Sequence, residues 1–180
     1  MRIMAILLAL SVSSASLLAE ELSDIPNFRE YSPSFASSGQ PTEQQLKLLK
    51  SAGYERIIYI AFSIHDSSLA KEDLIVRELG MDYVQIPVIW DKPSVTDFYA
   101  FAEVMRRYPD KKSLLHCQIN FRASAFSFLY RVLYQEVPID VAKTDMNTVW
   151  VPNNTWRAFI FSVLEENGMS AQCDACIWEE

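Results

Sequence analysis

The sequence predicts an α/β fold: a single three-layer domain with a central, mostly parallel sheet flanked by helices. Two patterns carry that expectation. Strand-length apolar runs alternate with amphipathic helical stretches across short loops, an order that parallel strands with helical crossovers require. No internal repeat or low-complexity linker interrupts the alternation, and 50% hydrophobic against 22% charged residues in a 180-residue chain suffices for one core.

Residues 1–19 carry one basic residue, Arg2, then an apolar run from Ile3 to Leu10, then small and polar residues before Glu20-Glu21. This is the pattern of a secretory signal peptide cleaved near Ala19, and the run falls short of the roughly 20 residues that span a bilayer. A secreted or periplasmic protein with no stable membrane insertion after cleavage is expected. The expected domain then occupies residues 20–180, with a core of about 28–168 and a tail at 169–180.

Glu20 to Ser38 reads as an irregular lead-in, closed by a turn at Ser37-Ser38-Gly39-Gln40-Pro41. Thr42 and Gln45 form a capping-box pattern for a helix carrying Leu46 and Leu49 and ending at Gly53. The β-branched run Tyr54 to Phe62 predicts a strand. His65-Asp66-Ser67-Ser68 turns out of it into a helix over Leu69 to Leu79, stopped by Gly80. Tyr83 to Trp90 predicts the next strand, and its Pro87 argues for an edge, a bulge or the strand's end. After the Asp91-Lys92-Pro93 loop, Ser94 caps a helix with Phe98, Phe101 and Met105 on one face.

Ser113 to His116 predicts a buried strand, and Arg122 to Gln135 a helix with apolar residues dense enough to be largely buried. A weaker helix covers Ile139 to Met146. Asn153-Asn154-Thr155 matches a glycosylation sequon, but capping of a last helix, Trp156 to Glu166, accounts for it more simply. Trp90, Trp150 and Trp156 are expected to pack in the core and at a cleft rim, their indole N–H groups finding local partners.

Net charge is −7, and −8 once Arg2 leaves with the leader. Nucleic acid is therefore excluded as a natural partner, and any anion site must be locally electropositive. SLLHCQINFRAS, Ser113 to Ser124, is where the sequence offers one. A strand runs out at Cys117 into a short loop, and Arg122 stands at the mouth of a helix. Loop amides and a helix N-terminus supply positive potential that suits an anion and favours a thiolate. An arginine there opposes the helix dipole, which an anion partner would offset. Of three cysteines in an oxidising compartment, Cys173 and Cys176 are spaced to form a disulfide, leaving Cys117 free. Cys117, Asp91 and His65 all follow predicted strand ends, so all three are placed to face one cleft.

The Cys-loop-Arg element after a buried strand, preceded by IPVIWDKP, resembles the cysteine-dependent protein phosphatases, especially their dual-specificity branch. With SSGQPT, GMDYVQIPV and WVPNNTW, the resemblance is to a bacterial phosphatase-like subgroup and covers roughly Phe28 to Gly168. It implies a protein-phosphatase-like fold and hydrolysis of a phosphomonoester, on a small molecule or a protein, through a phosphocysteine at Cys117. It also implies that Arg122 holds phosphate oxygens and Asp91 protonates the leaving group, with no metal and no cofactor.

A bidentate guanidinium contact that strengthens in the transition state is worth on the order of 3 kcal/mol. General acid help is worth roughly 10²- to 10⁴-fold. Gln118, Ile119, Asn120, Phe121 and Arg122 would form the phosphate cradle. His116 would brace it, and Ser124 would hydrogen-bond the thiolate.

The loop departs from the phosphatase pattern in two ways. Four residues, not five, separate cysteine from arginine, and none is glycine; Asn120 is the residue expected at positive φ. Four is the spacing of rhodanese sulfurtransferases, which form a persulfide on cysteine. A sulfurtransferase, or a catalytically impaired anion-binding pseudophosphatase, remains the alternative.

Overall fold

A computed structural model describes residues 20–173, 176 and 178. The expected signal peptide, residues 1–19, lies outside them. Five strands form one sheet in the order β1-β2-β5-β3-β4: β1 (Arg29–Ser32), β2 (Phe35–Ser38), β3 (Arg56–Tyr59), β4 (Asp82–Gln85) and β5 (Ser113–His116). β1 is antiparallel to β2, and every other pair is parallel. The fold is thus α/β with a mostly parallel sheet, as expected.

Alternation along the strands divides the core into two layers. Ala36, Ile57 and Leu114 pack with Leu46 and Leu49 of α1 (Glu43–Ser51) and Val76 of α2 (Glu72–Glu78). Phe35, Ile58 and Leu115 face the other way, onto α3 (Val95–Arg107), α4 (Phe121–Tyr134) and α6 (Asn154–Glu166), with α5 (Ile139–Asn147) beside them. Fully buried Phe98, Phe101, Phe126 and Trp156 fill this larger layer.

The caps agree with the sequence reading. Thr42 and Gln45 make the reciprocal capping box, Ser94 accepts from the Asp97 amide, and Asn153 accepts from the Trp156 amide. β4 is an edge strand that ends before Pro87.

Within the irregular lead-in expected over Glu20 to Ser38, β1 and β2 instead form a hairpin whose second strand lies against β5. β2, FASS, is fully buried, yet two of its four residues are serines, which carry no strand pattern. Their hydroxyls are satisfied locally: Ser37 Oγ lies 2.8 Å from Tyr31 Oη, and Ser38 Oγ donates to Gly39 O at 2.7 Å. With β2 on one side and β3 on the other, β5 is central, so the chain leaves it at Cys117 in the middle of the sheet's C-terminal edge.

Candidate active site

Cys117 is the free cysteine among the described residues, and Cys173 and Cys176 are joined in a disulfide. The Cys117 amide donates to Ser38 O at 3.3 Å, so the nucleophile candidate is tied to β2. From there the loop is pinned on its outer side. Gln118 O accepts from the Gln40 amide (3.0 Å), Ile119 O from Asn27 Nδ2 (2.9 Å), and Asn120 Nδ2 donates back to Asn27 O (2.6 Å).

Asn120 takes the left-handed conformation, φ 72°, that turns the chain into α4; a short loop without glycine needs such a residue. Gly39 also lies against this loop. A Cβ there would stand 2.8 Å from Gln118 O and 2.8 Å from Pro26 Cβ, so only glycine fits the approach. The amides of Gln118 and Ile119 donate to no group among the described residues, which leaves them available to an anion, while an antiparallel bridge between Gly39 and Ile119 turns the Asn120 amide toward Ser38 O.

Arg122 closes the loop. Its Nη1 donates to Gln118 Oε1 at 2.6 Å, its guanidinium lies 5.3 Å from the Trp90 ring centre, and its buried Nε has no partner among the described residues. Gln118 Nε2 in turn donates to Tyr59 Oη at 3.1 Å. The arginine is therefore held at the cleft by a cation–π contact with Trp90 and one hydrogen bond, while its Nε remains unspent among the described residues.

A cleft of about 360 Å³ opens over Cys117, lined by His65, Ser67, Trp90, Gln118, Ile119, Phe121 and Arg122. One wall is aromatic. Phe121 stacks on Trp150 at 4.7 Å and 2°, Trp90 packs 5.5 Å from Trp150 and 5.3 Å from Trp156, and Trp156 Nε1 donates to Trp90 O at 3.0 Å. The tryptophans thus serve as rim and core together.

Two expected contacts differ. Ser124 Oγ donates to Phe121 O (3.1 Å) and accepts from Trp150 Nε1 (3.1 Å), so its proton is directed to the backbone rather than to sulfur. Asp91 lies exposed on the turn closed by the Lys92 amide on Ile89 O (3.2 Å); its neighbour Trp90 lines the cleft and Asp91 does not. His65 does line it. Its Nδ1 accepts from the Ser67 amide at 3.2 Å, which places the proton of the neutral ring on Nε2.

Behind the loop, His116 sits where the sequence placed it, with a buried partner, Glu72, that the sequence did not reveal. His116 is fully buried and stacks on Tyr59 at 4.7 Å. Its Nε2 approaches Glu72 Oε1 to 3.3 Å without the direction of a hydrogen bond. Glu72, also buried, accepts from Gln40 Nε2 (2.8 Å) and Tyr83 Oη (3.5 Å). Desolvation lifts the Glu72 carboxyl to about 7, opposed by these hydrogen bonds, and burial pushes the His116 imidazole down to about 3. Both groups are held toward their neutral forms.

A cysteine at the end of the central parallel strand, a pinned loop and an arginine opening the next helix define a protein of the cysteine-dependent phosphatase superfamily. Its solved neighbours agree. A candidate phosphatase of the DUF442 family from Shewanella putrefaciens CN-32 is 35% identical with a TM-score of 0.74, over 82% of this chain and 97% of that one. The chain belongs to that family. Tk-PTP in its active form (15% identity, TM-score 0.67, 78% of this chain and 97% of that chain) and P. aeruginosa TpbA (16%, 0.61, 75% and 83%) share the fold. No family model and no curated relative matches the sequence. The likeness to these phosphatases supports a phosphatase-like function.

Proposed function

We propose that the protein hydrolyses a phosphomonoester through a phosphocysteine at Cys117, in an extracytoplasmic compartment. The observation that carries this reading is the loop itself: the unspent amides of Gln118 and Ile119 between Cys117 and an Arg122 whose buried Nε has no partner among the described residues. In the first step the Cys117 thiolate attacks phosphorus. An S–P bond forms, the ester P–O bond breaks, and the leaving oxygen takes a proton, assigned to Asp91. Arg122 exchanges its Gln118 contact for two phosphoryl oxygens, and the free amides take up charge that grows in the transition state. In the second step water attacks phosphorus, the S–P bond breaks, and inorganic phosphate leaves with Cys117 restored.

The short loop favours a second reading. With four residues in it, and no carboxylate among the described residues lining the cleft, Cys117 would attack the outer sulfur of thiosulfate. The S–S bond breaks, sulfite departs, and a persulfide remains for an acceptor such as cyanide. Purified mature protein is assayed with p-nitrophenyl phosphate and with thiosulfate plus cyanide, each beside Cys117→Ser. Phosphate release lost in the serine variant is the expected result. Thiocyanate formation without phosphate release transfers the assignment to sulfur transfer. If neither product forms and vanadate still raises the melting temperature, the protein binds anions without turning them over.

A further inference from the structure

Beyond the cleft walls, the ground around the nucleophile exposes apolar side chains among polar ones such as Ser63, Asp66, Asp91 and Lys92. Eight large hydrophobic side chains stand exposed among the described residues, and four of them, Phe62, Ile64, Ile89 and Ile119, sit on the loops that leave β3, β4 and β5. Those strands are parallel and adjacent in the order β5-β3-β4, so the loops emerge on one edge of the sheet. Ile64 is 90% exposed, Ile89 51% and Ile119 49%, and their chain neighbours His65 and Trp90, with Ile119 itself, line the cleft. Half of the exposed large hydrophobics among the described residues on one edge is a concentration, where scattered single residues would need no explanation. The aromatic wall that begins this surface is rigid, since Trp90 is fixed by Trp150 and Trp156 and Phe121 by Trp150.

Charge points the same way. Arg122 is the one arginine or lysine lining the cleft among the described residues, and the chain carries a net −7. One guanidinium and a helix N-terminus match a single phosphoryl group. Nothing on the lining would offset the additional phosphates of a polyphosphorylated ligand, which the overall field repels.

We propose that the substrate is a phosphomonoester carried on an apolar body, an alkyl chain or an aryl ring, which leaves the Cys117 cleft across Trp90 and Phe121 and lies on Ile64 and Ile89. This rests on the reading of Cys117 to Arg122 as a phosphoryl site. The isoleucines act on binding of the body, so they distinguish substrates without touching the reacting atoms.

The test measures binding of phosphonates to full-length mature protein carrying Cys117→Ser, by calorimetry, with turnover of the matching phosphate esters by the unsubstituted enzyme. Decylphosphonate or benzylphosphonate should bind at least about tenfold more tightly than methylphosphonate. Adding Ile64→Asn and Ile89→Asn should remove most of that gain and leave methylphosphonate unchanged. Both positions are solvent-exposed, and an unaltered melting temperature confirms the fold. Whether decyl or benzyl binds better separates the chain from the ring. Equal affinity for all three phosphonates, a gain that survives both substitutions, or tighter binding of inositol hexakisphosphate overturns the proposal. If the gain appears and depends on Ile64 and Ile89 while no ester is hydrolysed, the apolar specificity stands and the hydrolytic reading falls.

Discussion

The two sides of the Cys117–Arg122 loop are made of different materials. Toward solvent it meets an aromatic wall, exposed isoleucines and a single guanidinium. Toward the protein it rests on His116, Glu72, Gln40 and Tyr59, a polar cluster whose two titrating groups are shifted toward their neutral forms. The difference separates two tasks. The open side decides what lies against the sulfur and where protons come from, and its residues bear on rate and selectivity. The buried side fixes backbone position, and its residues bear on stability and on the shape of the cradle.

The largest effect expected on the open side concerns the proton for the leaving group. Asp91 is the assigned donor although it lies outside the cleft lining, whereas His65 lines it with Nδ1 already accepting from Ser67. An imidazole held that way donates a hydrogen bond from Nε2 but is poorly placed to give up a proton. Asp91→Asn should therefore lower kcat on an alkyl phosphate by roughly 10²-fold or more. It should change p-nitrophenyl phosphate, whose leaving group needs no proton, much less. His65→Asn should leave both within about threefold. The reverse pattern would move the acid role to His65 and show that the open side is complete as it stands.

On the buried side, Gly39→Ala should be felt first as geometry. The new methyl meets Gln118 O and Pro26 Cβ at 2.8 Å, and neither is the end of a flexible side chain. A cost of about 2 kcal/mol is expected, typical of overpacking, read as a lower denaturation midpoint. kcat/KM should also fall about tenfold, because the loop amides move with Gln118. Wild-type stability and rate in this variant would mean that the loop is not pinned from behind.

These two sides were unequally legible. Cys117, Arg122 and the positive φ at Asn120 follow from local chain chemistry: a strand end, a short loop and a helix start leave few alternatives. The flanking helices were readable for the same reason, since caps at Thr42, Ser94 and Asn153 act within three residues. What escaped depends on contacts between distant segments. β2 carries two serines in a buried strand, and only its place beside β5 makes it one. Glu72 stands in the first turn of α2, where an acid is ordinary; its burial against His116 comes from packing across 44 residues of sequence. Ser124 has a hydroxyl in the expected place, and its donor is directed elsewhere by Phe121 and Trp150.

The smallest effect expected is also the most diagnostic of the buried side, because it appears as a slope. The Glu72 carboxyl, ordinarily near 4.5, is raised to about 7, and the His116 imidazole, ordinarily near 6.5, is lowered to about 3. Between about pH 4.5 and 6.5 the native pair holds one proton, on Glu72, and the unfolded pair also holds one, on the histidine. The two contributions to the pH dependence of stability then cancel. Above that window the native state still binds a proton that the unfolded state has lost, so stability falls as pH rises toward 7. Below it the unfolded state binds two against one, so stability falls as pH drops toward 3.

Glu72→Gln keeps an oxygen for Gln40 Nε2 and removes one half of the cancellation. Stability of this variant should rise by about 1 kcal/mol per pH unit between pH 5 and 6, where the wild-type contribution of the pair is flat. Tyr59 and Tyr83, the tyrosines next to Glu72, are raised by burial and do not titrate in this range. Denaturant midpoints of both proteins at pH 5 and pH 6 give the comparison directly, since all other titrating groups are common to them. Parallel slopes would mean that Glu72 and His116 do not share a proton balance, and that the loop rests on a charged support after all.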